Sequence, residues 1–375
     1  CTGDVSVGID ANAPLTTLNV NNLTQDIAPG SGVDGINFRV GSGNITIDST
    51  ANIQTRGGAE GIFARVANSG DIAITSNGNV STRGNNGEGI FARVVNNGDI
   101  TINSTGDVTT RGADAEGIFA RVGNDGDITI NSDGNVSTRR NNAEGIEAVV
   151  DDDGDIAISS TGDITTRGRG AEAIAAYVNE DGDITVTSSG NISTQGRFSS
   201  GIHSVIGDDG DISISSDGNI TTRNRDAAGI FAYVVDDGNI AVTSSGDIST
   251  EGRDSAGIYS VVNDDGDISI SSTGNISTKG RYSDGIFAYV TDNGDIEVTS
   301  SGNITTEGRN AFGIAAIGND DGDVTIASHG NITTTGRDAI GIAALVGDNG
   351  AISITSVGNV TTSGNDAIGI AATTF

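Results

Sequence analysis

The feature that most constrains this chain is its period. A Gly-Ile pair, once Ala-Ile, recurs at Gly61, Gly89, Gly117, Gly145, Ala173, Gly201, Gly229, Gly257, Gly285, Gly313, Gly341 and Gly369, always 28 residues apart. An earlier copy opens at Gly35 and is shorter, having lost one residue from each of two turns. A fixed repeat of this size marks a solenoid or a propeller, whose unit cannot bury its apolar face without a neighbour. Length alone would suggest two or three domains, but an unbroken repeat overrides it. Residues 1–34 read as an atypical N-terminal capping coil, and 35–375 as one elongated array of repeats with no cap at its C-terminal end.

Inside each repeat the apolar period is two. In the copy from Gly117, Ile118, Ala120 and Val122 share one face, and Phe119 and Arg121 the other. Ile128 and Ile130 then point inward with Ser132, and Val136 with Thr138. That alternation specifies three short strands per rung, rich in β-branched residues, separated by Gly-Asn-Asp-Gly, Asp-Gly and a six-residue corner. Gly126 and Gly134 are expected to supply backbone conformations closed to other residues. A propeller blade needs about four antiparallel strands and ~40 residues. The expected fold is therefore an all-β parallel β-helix of about thirteen rungs, with strands in register and a rise of ~4.8 Å per rung, or roughly 60 Å in all. In residues 1–26, Leu15, Leu18, Val20 and Leu23 alternate loosely, before a turn at Pro29-Gly30-Ser31-Gly32.

Composition excludes several functions. Fifty acidic and 19 basic residues give a net charge of −31, which opposes nucleic acid and anionic lipid. No apolar run approaches the ~18 residues of a membrane span. The single cysteine, Cys1, excludes an internal disulfide framework. A chain without methionine is expected to be a processed or trimmed segment, with Cys1 either lipid-bearing or simply a boundary.

The repeat GDITINSTGDVTTRGADAEGIFARV from Gly98, the opening CTGDVSVGID and the stretch LNVNNLTQDIAP from Leu18 resemble autotransporter passenger domains, the exported β-helical rods of Gram-negative bacteria. The resemblance covers essentially the whole chain. It implies a right-handed β-helix, export across the outer membrane, a place at the cell surface, and a role in adhesion, biofilm or surface architecture. Partners would then be a host-surface or matrix glycan or protein. The family's C-terminal barrel has no counterpart before Phe375, so anchoring depends on what lies beyond it.

Column by column, four features carry chemistry. At the turn after the first strand, Asp153, Asp155, Asp181, Asp183, Asp209, Asp211, Asp265, Asp267, Asp321 and Asp323 form an acidic ladder. Such oxygen-rich ladders suit Ca²⁺, the one candidate cofactor; the alternative is that Asp-Gly is what tight turns use. Arg169, Arg197, Arg225, Arg253, Arg281, Arg309 and Arg337 recur at the last corner. They read as self-compensating beside Asp226, Asp254, Asp284 and Asp338, with capture of an anionic glycan as the alternative. An outward apolar stripe through Phe63, Phe91, Phe119, Phe231, Tyr259 and Phe287, with Tyr177, Tyr233 and Tyr289 two residues on from that position, exceeds what monomers usually expose and marks a contact surface, against the alternative of rings that only stack. The strand Gly369, Ile370, Ala371, Ala372, Thr373, Thr374, Phe375 stops one third of the way round a rung and offers an edge for stacking of a second copy.

Catalytic residues are not expected. His203 and His329 fall in different columns, and no insertion breaks the spacing from Gly61 to Gly369 to build a cleft, which weakens a polysaccharide-processing reading. The second-strand faces Thr129/Asn131, Ala157/Ser159 and Glu297/Thr299 are too mixed for an ice-binding array. The Asn-x-Ser/Thr triplets, at Asn135 and Asn191 for example, follow from strand alternation, and no glycosylation is read into them.

Overall fold

The structure, a computed structural model, describes residues 1–347 and 349–374. It is all-β: three parallel sheets stacked as a β-solenoid of about thirteen turns, with no helix among the described residues. Two compact units make up the chain, Cys1–Asp183 and Ile184–Phe375. In the first, one sheet takes the first strand of every rung, from Ile9–Asn12 through Ile118–Val122 to Ile174–Val178. A second sheet runs from Thr17–Val20 to Ile156–Ser160, and a third from Ile53–Gln54 to Ile164–Thr166. The second unit repeats the plan, its first-strand sheet running from Ile202–Ile206 to Ile368–Thr374.

Register follows the period. Ile118 pairs with Ile90 and Ile146, and Phe119 with Phe91 and Glu147. Like therefore stacks on like, and a residue's chemistry is repeated or interrupted one rung away. The interior is a set of columns: Ile118, Ala120, Val122, Ile128 and Ile130 are fully buried, as are Ser132, Val136 and Thr138 to within 1%. The inward threonine serves the corner, since Thr110 Oγ1 donates to the Ala115 carbonyl (2.6 Å) and Thr222 Oγ1 to that of Ala227 (2.7 Å). Each hydroxyl thereby pins the six-residue turn that follows it.

The leading coil is part of the solenoid. Ile9–Asn12 pairs with Ile36–Val40, and Thr17–Val20 with Ile45–Ser49. Leu18 and Val20 are buried, but Leu15, which the loose alternation grouped with them, is 52% exposed because it lies in the turn between those strands.

The two glycines singled out in the sequence differ. Gly126 has φ +148°, a conformation only glycine adopts readily. Gly134 has no positive φ; a Cβ there would sit 2.2 Å from the Gly106 carbonyl oxygen of the preceding rung. It is required for space, not for backbone freedom.

Candidate functional site

The outer surface of each unit is a set of ladders. In the acidic turns, the expected metal ligands serve as acceptors for the next rung's backbone, among them Asp153, Asp155, Asp209, Asp211, Asp265, Asp267, Asp321 and Asp323. Asp181 N–H donates to Asp153 (3.4 Å) and Asp183 N–H to Asp155 (2.9 Å). In the second unit Asp237 and Asn239 donate to Asp209 and Asp211, Asn293 and Asp295 to Asp265 and Asp267, and Asn349 and Ala351 to Asp321 and Asp323. These aspartates hold rungs together through one oxygen each, which is the reason the position accepts Asn as readily as Asp. Carboxylates also converge: single oxygens of Asp152, Asp153 and Glu180 in the first unit, and of Asp264, Asp265 and Asp292 in the second, lie within 4.8 Å of one another. Hydrogen bonding with Asp292 and Asp236 pushes the Asp264 carboxyl up to about 6.

The arginine corner of the second unit is largely self-compensated. Arg197 and Arg225 reach Asp226 (3.3 and 3.6 Å), Arg225 and Arg253 reach Asp254 (3.7 and 3.1 Å), and Arg309 and Arg337 reach Asp338 (3.7 and 3.4 Å). Where the acid that follows the arginine is replaced by a ring, the guanidinium also stacks on that ring, Arg197 over Phe198 and Arg281 over Tyr282. Asp284 does not belong to this set. It lies beyond the corner, half-buried, and accepts from the Phe312 N–H at 2.7 Å.

The aromatic stripe is less exposed than alternation suggested. Phe63 and Phe91 stack at 4.9 Å, and Phe91 meets Phe119 at 5.4 Å. Phe231, Tyr259 and Phe287 form a second stack, at 5.3 and 4.9 Å. Phe63 is only 9% exposed, and the other rings of the stripe, Tyr177, Tyr233 and Tyr289 included, are half-buried. Tyr233 and Tyr289 hydroxyls accept from Asn263 and Asn319 in the next rung. In-register pairing places each ring against its equivalent, so the rings cover one another before any partner does. Among the described residues the most exposed aromatics are instead Phe198 (38%) and Tyr282 (40%), each at a corner position of positive φ. On the last first-strand, Ile368 and Ile370 are 46% and 49% exposed, whereas Ile342 one rung earlier is fully buried. Phe375 lies outside the described residues.

Sequence reading missed the most unusual ladder. The residue before each Gly-Ile pair in the first unit is acidic: Asp34, Glu60, Glu88, Glu116, Glu144 and Glu172, all half-buried. Each glutamate's own carbonyl accepts the N–H of the glycine that follows its counterpart one rung earlier, as in Gly117 to Glu144 and Gly145 to Glu172 (both 2.9 Å). The side chains are thus held at strand spacing, ~4.8 Å. Hydrogen bonding between neighbouring carboxyls shifts their protonation in three couples, Asp34 with Glu60, Glu88 with Glu116 and Glu144 with Glu172. Glu147, on the outward face, brings a carboxyl oxygen within 4.8 Å of Glu116 and Glu144. Burial pushes Glu60 and Glu116 up to about 8, and burial with Glu147, Glu116 and Glu172 pushes Glu144 up to about 10. The signal was in the sequence as a Glu at one column in five consecutive rungs, but it sits beside a corner, where alternation assigns no face.

No protein-family model, no curated protein and no solved structure matches this chain. The fold and its columns define it as a β-solenoid repeat protein.

Proposed function

We propose that this chain is an extracellular structural and adhesive solenoid of a bacterial surface, acting through its lateral face and its ends on a host-surface or matrix glycan or protein. The observation that carries the reading is the uninterrupted rung: from Gly61 to Gly369 no insertion builds a cleft, and what the surface offers is repetition. The charge of −31 keeps such a body soluble and turns it away from nucleic acid. Export is supported by the resemblance of its repeats to passenger domains. The test is the triple replacement of Phe231, Tyr259 and Phe287 by Ser, with melting curves to establish that the variant folds. Adsorption to matrix glycan and protein arrays, and lateral association in sedimentation at raised ionic strength, are expected to fall about tenfold or more, since each ring edge still offers apolar area worth ~25 cal/mol per Å². Equal adsorption by parent and folded variant would count against the lateral face.

A second reading, a filament of copies stacked end to end, rests on the in-register parallel rungs, in which every coil presents to the next an edge that matches its own. A parent chain that sediments as a single short species at high concentration removes that reading.

Calcium belongs to this proposal as a surface ligand of the acidic turns, where the trios at Asp152, Asp153 and Glu180 and at Asp264, Asp265 and Asp292 supply the hard oxygens it needs. Millimolar Ca²⁺ is expected to raise the melting temperature by a few degrees at low salt, and chelator to reverse it. An unchanged curve leaves the carboxylates as backbone acceptors and nothing more.

A further inference from the structure

Six acids stacked one rung apart in a half-buried column would repel if all were ionised. Their neighbours do little to offset that. Arg39, Arg65, Arg93 and Arg121 stand on the same sheet, but with the column of Phe63, Phe91 and Phe119 between. Arg39 stacks on Phe63 at 4.4 Å, and Arg121 is held by two hydrogen bonds of 2.9 Å to Asp151. Arg121 does oppose the rise of Glu147, which burial and Glu172 still push up to about 7. The Tyr177 phenol is pushed up by burial and by Glu172, Glu147 and Glu144, so it stays protonated beside them. From the corner, exposed Asp114 adds a further carboxyl, accepting from Asn142 at 2.9 Å.

The three couples show how the column is tolerated. Asp34 already accepts from Asn37 Nδ2 (2.7 Å) and the Glu60 N–H (3.2 Å), so the hydrogen bond between its carboxylate and the Glu60 side chain needs a proton on Glu60. Glu88 with Glu116, and Glu144 with Glu172, repeat the arrangement. Two carboxylates at this distance cannot both ionise without a large cost, and a shared proton turns repulsion into a strong hydrogen bond.

We propose that the column Asp34, Glu60, Glu88, Glu116, Glu144 and Glu172 is a proton-held clasp, closing one edge of the first unit while its carboxyl couples share protons and loosening that unit when they ionise. The second unit lacks it. Its equivalent positions are Ser200, Ala228, Ala256, Asp284, Phe312, Ile340 and Ile368, with a single acid, Asp284, which accepts a backbone N–H and which burial pushes up to about 7, but which has no acidic neighbour in its column to share a proton with. The two units therefore respond differently to alkali.

The sign follows from the direction of the shifts. The folded unit keeps protons that the unfolded chain, with glutamates near 4.5, has released, so stability falls as pH rises. The contribution is fully present below about 4.5 and is lost as pH climbs through about 7 for Glu147, 8 for Glu60 and Glu116, and 10 for Glu144. Burial holds His203 down at about 4, outside this window, and in the second unit Asp284, pushed up to about 7 by burial, adds one loss of the same sign against the five of the first-unit column.

The experiment is hydrogen exchange of the whole chain at pH 6 and pH 9, corrected for intrinsic rates, in chelator and moderate salt. Amides of residues 60–178 are expected to lose at least tenfold in protection at pH 9, while those of 212–346 change by less than threefold. In the double variant Glu116→Gln and Glu144→Gln the loss is expected to shrink to about half on the logarithmic scale. Equal loss in both units, or a full loss in the folded double variant, overturns the proposal. Infrared spectroscopy of the parent at neutral pH gives a test independent of the variants: the carbonyl band of un-ionised carboxyl groups must be present there and fall by more than half toward pH 10. Its absence at pH 7 also overturns the proposal.

Discussion

Gly134→Ala is expected to destabilise the first unit by roughly 3 kcal/mol, read as a fall in the denaturant midpoint and as lost amide protection in the rungs on either side. The added Cβ would lie 2.2 Å from the Gly106 carbonyl oxygen and 2.9 Å from the Asp107 nitrogen. Both are backbone atoms, and both belong to a rung whose height is set by the ladder hydrogen bonds of the other two sheets. Relief therefore requires the third-strand corner to lift away from its neighbour. The same contact recurs at Gly106 and Gly162, each 2.2 Å from the glycine oxygen one rung earlier, so the column as a whole excludes side chains. Gly41 is the control: it has no positive φ and no atom within 4 Å of a built Cβ, and Gly41→Ala is expected to change stability by less than about 0.5 kcal/mol. A Gly134→Ala variant as stable as the parent would mean that rung spacing at this corner is softer than the structure indicates.

The second large effect is at Ile130. It is fully buried between Ile102 and Ile158, its partners in the strands before and after. Ile130→Ala removes transfer free energy and leaves a cavity that parallel strands cannot close by shifting, since each is held in register on both sides. A loss of about 2–5 kcal/mol is expected, toward the upper end. Thr129, its neighbour on the outward face, is expected to tolerate Ala within about 0.5 kcal/mol. Because each rung touches only the next, exchange should rise first in the strands adjoining Ile128–Ser132 and fade with distance along the unit. Uniform loss of protection across residues 1–178 would instead show that the unit melts as one.

The sequence by itself determined the period, the three strands per rung and which side chains point inward, because in-register stacking demands the same residue class at the same position of every rung. Ile118, Ile128 and Val136 could be assigned to the core without coordinates. The compensation of Arg225 and Arg253 by Asp226 and Asp254 was equally legible, because an aspartate that directly follows the arginine of its own rung must also stand beside the arginine of the rung before. Wherever the chain leaves the strand, period-two reasoning has nothing to say. Only the tertiary structure decided that Gly134 is there for space, that Asp284 belongs to a half-buried column and not to the arginine corner, and that Leu15 faces solvent. It also decided how far the stripe of Phe231, Tyr259 and Phe287 covers itself, since exposure depends on the ring one rung away as much as on the strand face. The Glu60 to Glu172 column is the clearest case. A glutamate beside a corner can face water or its own stack, and it was the ladder hydrogen bonds through those same residues that turned five surface-looking acids into a half-buried column sharing protons.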